Sequence, residues 1–396
     1  MPDPQPAALR RTPLTAVHER LGAALTDFAG WQMPLRYRSE TAEHQAVRTA
    51  AGLFDLSHMG ELRVTGDEAT AALDYALVSD IAAVRVGRAK YTMITGADGG
   101  VIDDLIVYRL ADSDYLVVAN AANAATVVAE LASRADRFKA TVSDQTDDYA
   151  LIAIQGPRSP AILSGLTDTD LTQLKYYAGY PATVAGRDVL LARTGYTGED
   201  GFEIFARPDD ATALWEALTE AGEGSGLIPA GLAARDSLRL EAGMPLYGNE
   251  LSRDITPFDA GLGRVVKLDK SADFVGRAAL ARRAEQASPR TLVGLIGLTR
   301  RVPRHGFAVL WDGAPAGIVT SGGHSPTLAQ PIAMAYLSAA AAAAAAITTT
   351  QARDGQADDG RLAIDIRGSA EPAMLTRLPF YTRDARGTRG TQGTQG

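Results

Sequence analysis

Two adjacent carboxylates inside an otherwise apolar strand constrain this chain more than any other feature. Residues 98–108 read Asp-Gly-Gly-Val-Ile-Asp-Asp-Leu-Ile-Val-Tyr. Gly99-Gly100 supplies a permissive turn, and the Val, Ile and Tyr that follow have the composition of a β-strand. Tyr91-Thr92-Met93-Ile94, on the other side of the glycines, completes a hairpin signature. Strand side chains alternate between faces. Asp103 therefore shares a face with Val101, Leu105 and Val107, and Asp104 shares the other with Ile102, Ile106 and Tyr108. Each face is apolar apart from one acid, so burial on both sides is expected. An unpaired ionised carboxylate is costly there. Each acid needs either backbone N–H partners, as a turn or cap residue has, or a task at a working site.

At 396 residues the chain exceeds what one hydrophobic core usually organises, so two or three domains are expected. A net charge of −8 argues against nucleic-acid binding, which needs a basic footprint. No apolar run is long enough to span a membrane, and the Pro-rich start lacks a signal peptide's basic and apolar regions. A cytoplasmic protein is expected. The absence of cysteine removes disulfides, thiolate catalysis, cysteine-bound zinc and iron–sulfur clusters together. No dinucleotide fingerprint, P-loop or Gly-x-Ser-x-Gly elbow is present. The five histidines, at 18, 44, 58, 305 and 324, contain no i, i+4 pair for a metal. His58 and His324 read as loop or core hydrogen-bonders.

Along the chain, Leu14, Val17, Leu21 and Leu25 fall at helical spacing, and residues 27–35, rich in aromatics, Gly and Pro, read as a packed loop. Residues 43–48 and 65–77 read as helices and 115–120 as a strand. A helix over 127–135 follows, and strands and helices alternate from there. A helix over 229–241 carries Arg235 and Arg239 on one face, with Gly243 placed to end it; two such arginines ordinarily form a solvated edge. Residues 194–203 (Thr-Gly-Tyr-Thr-Gly-Glu-Asp-Gly-Phe-Glu) hold three glycines among acids and a tyrosine. They fit either a tight hairpin or a ligand loop. From Thr291 the texture changes to short apolar runs split by Gly and Pro, the signature of a β-barrel or sandwich. Eight alanines at 339–346 favour helix by propensity, against a strand preference at 347–350. The low-complexity tail, 384–396, is expected to be disordered.

Several motifs occur in order: Thr12-Pro13-Leu14, Gly30-Trp31-Gln32-Met33-Pro34, residues 43–48, Phe54-Asp55-Leu56-Ser57-His58-Met59, residues 99–105, Gln155-Gly156-Pro157, residues 195–203, residues 231–243, and Thr320-Ser321-Gly322 with Ser325-Pro326. Together they resemble the aminomethyltransferase, or T-protein, family of the glycine cleavage system, over roughly residues 10–383. The resemblance implies an α+β fold, a three-domain cloverleaf around a central folate cavity with a C-terminal β-barrel. Residues 10–285 would form the folate-binding region, as two interleaved α+β subdomains; 286–383 would form the barrel. The poly-alanine run and residues 354–360 depart from the more varied segment of relatives.

The implied reaction moves a one-carbon unit from an aminomethyl group on a lipoylated carrier, the H-protein, to tetrahydrofolate. Ammonia and 5,10-methylenetetrahydrofolate are released, with no metal, flavin or PLP. By the same resemblance Asp103 is the catalytic acid and Asp104 structural. Glu203 and Arg235 bind the pterin, Tyr91, Asn120 and Tyr196 line the pocket, Arg304 lies near the folate tail, and Tyr381 is a looser match. Related readings are a tetrahydrofolate-dependent demethylase of a small methylated donor and a non-enzymatic folate-binding paralogue. The latter depends on a cysteine motif that this chain lacks. Seven arginines between 277 and 304, opposed only by Glu285, form either a solvated face or a receptor for a folate tail or an acidic carrier.

Overall fold

The computed structural model describes residues 8–353, 361–383 and 389–390. Most of the expected disordered tail, and the departure at 354–360, lie outside them.

The described residues form three bodies of secondary structure, and the first two wall a central cavity. The first is a five-stranded antiparallel sheet in the spatial order Ala89–Thr95, Val101–Ala111, Asp114–Ala119, Gly60–Thr65, Thr141–Asp144. Leu62, Leu105, Val107 and Val117 on one face pack against Leu73 and Leu131 of helices Ala69–Ala76 and Ala124–Ala135. The second is a six-stranded sheet in the order Gly179–Val184, Arg187–Ala192, Gly201–Ala206, Ala150–Gln155, Ala51–Asp55, Leu227–Pro229. Helices Ser159–Ser164 and Ala211–Gly222 cover its outer face through Ile162, Leu214, Trp215 and Leu218. The first sheet is threaded between the second sheet's strands Ala51–Asp55 and Ala150–Gln155, so the two are interleaved. Their inner faces meet through Tyr108, Leu116, Leu151 and Phe205. The third body is a closed six-stranded barrel from Arg290–Gly297 to Ser369–Thr376, as the change of texture near Thr291 predicts.

The Asp-Asp strand pairs with Ala89–Thr95 as expected, but its register slips. Ile94 faces Asp103 while Thr95 faces Val101, leaving Ile102 as the extra residue of a bulge. Ile102 consequently enters the same core as Leu105 and Val107, while Asp104, Ile106 and Tyr108 face the central cavity. Glycine at 100 is obligatory, because a Cβ would sit 1.9 Å from the Arg253 carbonyl oxygen. That segment is held by Val101 N–H, which donates to the carbonyls of Ser252 and Ile255.

Two expectations near the N-terminus are corrected. The first helix is Thr15–Arg20 and stops at Gly22 (φ +71°), so Leu25 lies in strand Ala24–Phe28. That strand pairs with Trp31–Arg36 through a two-residue turn, Ala29-Gly30, in which both residues have positive φ. Residues 27–35 are thus a hairpin; burial of Trp31 and Met33 accounts for its aromatic texture. At the other end the alanine run is helical, in Ala339–Arg353. No helix among the described residues is long and apolar enough to cross a membrane.

Candidate active site

The cavity between the two sheets and the helix Leu232–Glu241 has a volume of about 640 Å³, within the range of roughly 300–1,000 Å³ usual for small-molecule sites. Its polar groups fall into two sets.

The first set belongs to the Asp-Asp strand. Asp104 lines the cavity; its Oδ2 accepts from the Tyr91 hydroxyl at 3.0 Å and its Oδ1 from Asn120 Nδ2 at 2.8 Å. Asp103 has turned away, is fully buried and does not line the cavity. Its Oδ2 accepts from the Asn120 backbone N–H (3.0 Å), and its Oδ1 from Asn120 Nδ2 (2.8 Å) and Asn123 Nδ2 (2.7 Å). The Asn120 amide therefore bridges both carboxylates. Burial, then the Asp104 charge, raise the Asp103 pKa to about 7, against the pull of the asparagine donors. Burial also raises Asp104, opposed by Tyr91 and Asn120. Of the two acids, the one expected to be structural, Asp104, lines the cavity, and the one expected to be catalytic, Asp103, lies behind it. Alternation put one acid on each face, and the face turned to the cavity is the one that carries Asp104.

The second set comes from the second sheet and the helix Leu232–Glu241. Glu203 on strand Gly201–Ala206 is 8% exposed. Its Oε2 accepts from the Thr194 hydroxyl, and the Tyr108 hydroxyl lies 3.3 Å from the same atom and 2.9 Å from Thr194 Oγ1. Among the described residues nothing donates to Oε1. Arg235 lines the cavity with its guanidinium 4.8 Å above the Tyr196 ring and, among the described residues, with no side-chain hydrogen bond. Tyr196 also lines the cavity, its hydroxyl held by the Pro245 carbonyl. Residues 194–203 are accordingly a wall loop rather than a tight hairpin: the strands they join pair at Ala192 and Glu203, with 193–200 between them.

Arg235 and Arg239 form no solvated edge. Arg239 is 1% exposed, lines the cavity and donates to Glu250 (3.1 Å) and Ser321 of the barrel (2.9 Å). Gly243 (φ +64°) ends the helix as expected, and Met244, Pro245 and Tyr247 continue the wall. Gly231, at the other end, admits no Cβ, which would lie 2.4 Å from the Leu35 carbonyl oxygen.

Two expected pocket residues lie elsewhere. Tyr381 is buried beside Arg48, whose guanidinium stands 4.0 Å over its ring, and does not line the cavity. Arg304 is exposed outside the cavity, where its charge acts on Glu40. The seven arginines do not form one free basic face. Arg277 is spent on the carbonyls of Leu268, Lys270 and Ala272, Arg283 on Asp259 and Arg301 on Glu371. Sequence reading missed Asn123, Thr194 and Tyr108, whose roles depend on contacts across strands. It also missed His58 as a wall residue. His58 is 2% exposed, edge-on to Phe28, and its Nδ1 has no partner among the described residues. Burial, then Arg235, lower its pKa to about 4, so its ring is neutral at pH 7.

Residues 14–270 match the GCVT N-terminal domain family, and 290–382 match the glycine cleavage T-protein C-terminal barrel domain. An aminomethyltransferase of Streptomyces avermitilis is 62% identical over 379 residues, 95% of this chain and 98% of the relative. Another, from Saccharopolyspora erythraea, is 60% identical over 377 residues, covering 95% and 99%. The crystal structure of glycine cleavage system aminomethyltransferase T from Bartonella henselae superposes with a TM-score of 0.82 at 37% identity, covering 94% of this chain and 98% of that one. With both domain families in order and relatives matched end to end, the chain belongs to the aminomethyltransferase, or T-protein, family of the glycine cleavage system.

Proposed function

We propose that the central cavity brings the aminomethyl group of a lipoylated H-protein against tetrahydrofolate, with Asp104 as the acid that meets the one-carbon unit. The observation that carries this reading is one cavity wall that holds an anchored carboxylate, Asp104, on the first sheet and an unspent carboxylate oxygen and guanidinium, Glu203 and Arg235, on the second sheet and the helix Leu232–Glu241. A reduced pterin offers adjacent N–H donors and a carbonyl. Glu203 Oε1 accepts the former, Arg235 donates to the latter, and the Tyr196 ring supplies an aromatic face. The carboxylate of Asp104, fixed by Tyr91 and Asn120, opposes positive charge that develops as the one-carbon unit leaves sulfur for a pterin nitrogen. A preorganised charge is most effective in a water-poor site. Asp103 fixes Asn120, and Asn120 fixes Asp104; Asp103 is a positioning residue.

Residues 10–285 are read as the folate-binding region and 286–383 as a barrel packed behind the cavity wall, where Ser321 accepts from Arg239. A cytoplasmic enzyme fits this role. The test supplies aminomethylated lipoyl carrier and tetrahydrofolate and follows ammonia and methylenetetrahydrofolate. Formation of both is expected. No turnover there, with turnover on a small methylated amine or sulfur donor, would favour the demethylase reading.

A further inference from the structure

Asp103 and Asp104 are neighbours in sequence, the first fully buried and the second half-buried on the cavity wall, and joined through the two hydrogens of one amide, Asn120 Nδ2. Among the described residues neither forms an ion pair. The groups that face them are the Tyr91 hydroxyl on the adjacent strand, the neutral amides of Asn120 and Asn123, and Tyr247, which feels both charges while donating to the Val101 carbonyl. Tyr177 and Tyr196 also feel Asp104, and Arg253 acts on Tyr247 without bonding either acid. Hydrogen-bond donors are thus plentiful and a counter-charge is missing. Two adjacent carboxylates in such a place resist holding two charges at once, and they titrate as a unit.

We propose that Asp103 and Asp104 act as one acidic pair that gives up its proton to solvent when a cationic aminomethyl group enters the cavity beside Asp104. The pair holds a proton for part of the time when the cavity is empty of cation. The incoming ammonium supplies the missing counter-charge, favours the doubly ionised pair, and the displaced proton goes to buffer. The only bond broken is one carboxyl O–H, whose proton is taken up by a buffer base while the electron pair stays on the carboxylate oxygen. The consequence is selectivity: a carrier bearing the aminomethyl cation is favoured over the same carrier after the transfer, which presents only neutral thiols. The inference rests on the cavity being the aminomethyl site.

The test is calorimetric titration of the whole enzyme, without folate, at pH 7 in two buffers of different ionisation enthalpy. One titrant is the aminomethylated carrier and the other the dihydrolipoyl carrier. The loaded carrier is expected to release protons at pH 7, and progressively fewer as the pH is raised toward 9. The unloaded carrier is expected to release none. The Asp103→Asn variant, checked for folding by its thermal transition, should lose the release. Equal heats in both buffers for a loaded carrier that binds and turns over once folate is added would overturn the proposal alone. Failure of the loaded carrier to turn over at all would overturn the proposal together with the reading beneath it.

Discussion

At the scale of single residues, the cavity holds groups free to meet a ligand and groups that aim them. Glu203 shows the division. One oxygen is occupied by Thr194 and Tyr108, which fixes the rotamer and leaves the other oxygen for a ligand N–H. Glu203→Gln removes a charge-assisted hydrogen bond worth about 1.5–3 kcal/mol, so tetrahydrofolate should bind roughly 10- to 100-fold more weakly, measured by fluorescence titration. Thr194→Val removes only the anchor. It should weaken folate by about tenfold or less, with kcat near that of the parent, and Thr194→Ser should restore binding. A Thr194→Val enzyme that lost kcat with folate affinity intact would contradict the anchoring role.

At the scale of elements, the helix Leu232–Glu241 ties the architecture together. Arg235 and Arg239 reach the cavity, while Glu241 at its end is fully buried and accepts from His44 and Arg48 of helix Glu40–Thr49 and from Ser325 and Thr327 of the barrel. Burial pushes the Glu241 pKa up, but His44, Arg48 and Ser325 outweigh it and hold it at about 2, below the ordinary 4.5. A depressed carboxylate stabilises the fold above its unfolded pKa and loses that contribution as pH falls through the folded one. Glu241→Gln should therefore cost on the order of 3 kcal/mol near neutrality, and the deficit should shrink between about pH 4.5 and 2, as read from urea unfolding at each pH. The Asp-Asp hairpin depends on close approach instead. Gly100→Ala puts a methyl into the Arg253 carbonyl and should cost about 1–3 kcal/mol, seen as a lower thermal midpoint.

These elements also show what the sequence made legible. The hairpin, the late barrel and Gly243 as a helix terminator follow from local rules of turn, alternation and capping. Leu25 was assigned to a helix because a 3.6-residue period does not register Gly22, whose positive φ ends that helix. Which of Asp103 and Asp104 meets the cavity is not legible for a different reason. Alternation guarantees that two adjacent acids take opposite faces, but which face meets a cavity is decided by the second sheet and the helix Leu232–Glu241. Arg235 and Arg239 look like a solvated pair until the surrounding bodies close over them.

At the scale of the whole molecule, two interleaved sheets wall one cavity with a barrel packed behind it, and the comparison with relatives fixes the reaction class. The central claim is narrower: the acid that meets the one-carbon unit is Asp104, and folate is held elsewhere on the wall. The most direct measurement is the rate of methylenetetrahydrofolate formation by Asp104→Asn with aminomethylated carrier, alongside its tetrahydrofolate dissociation constant. The account predicts a rate lower by about 10²–10³ with the folate constant within a few-fold of the parent. A rate close to that of the parent would contradict it.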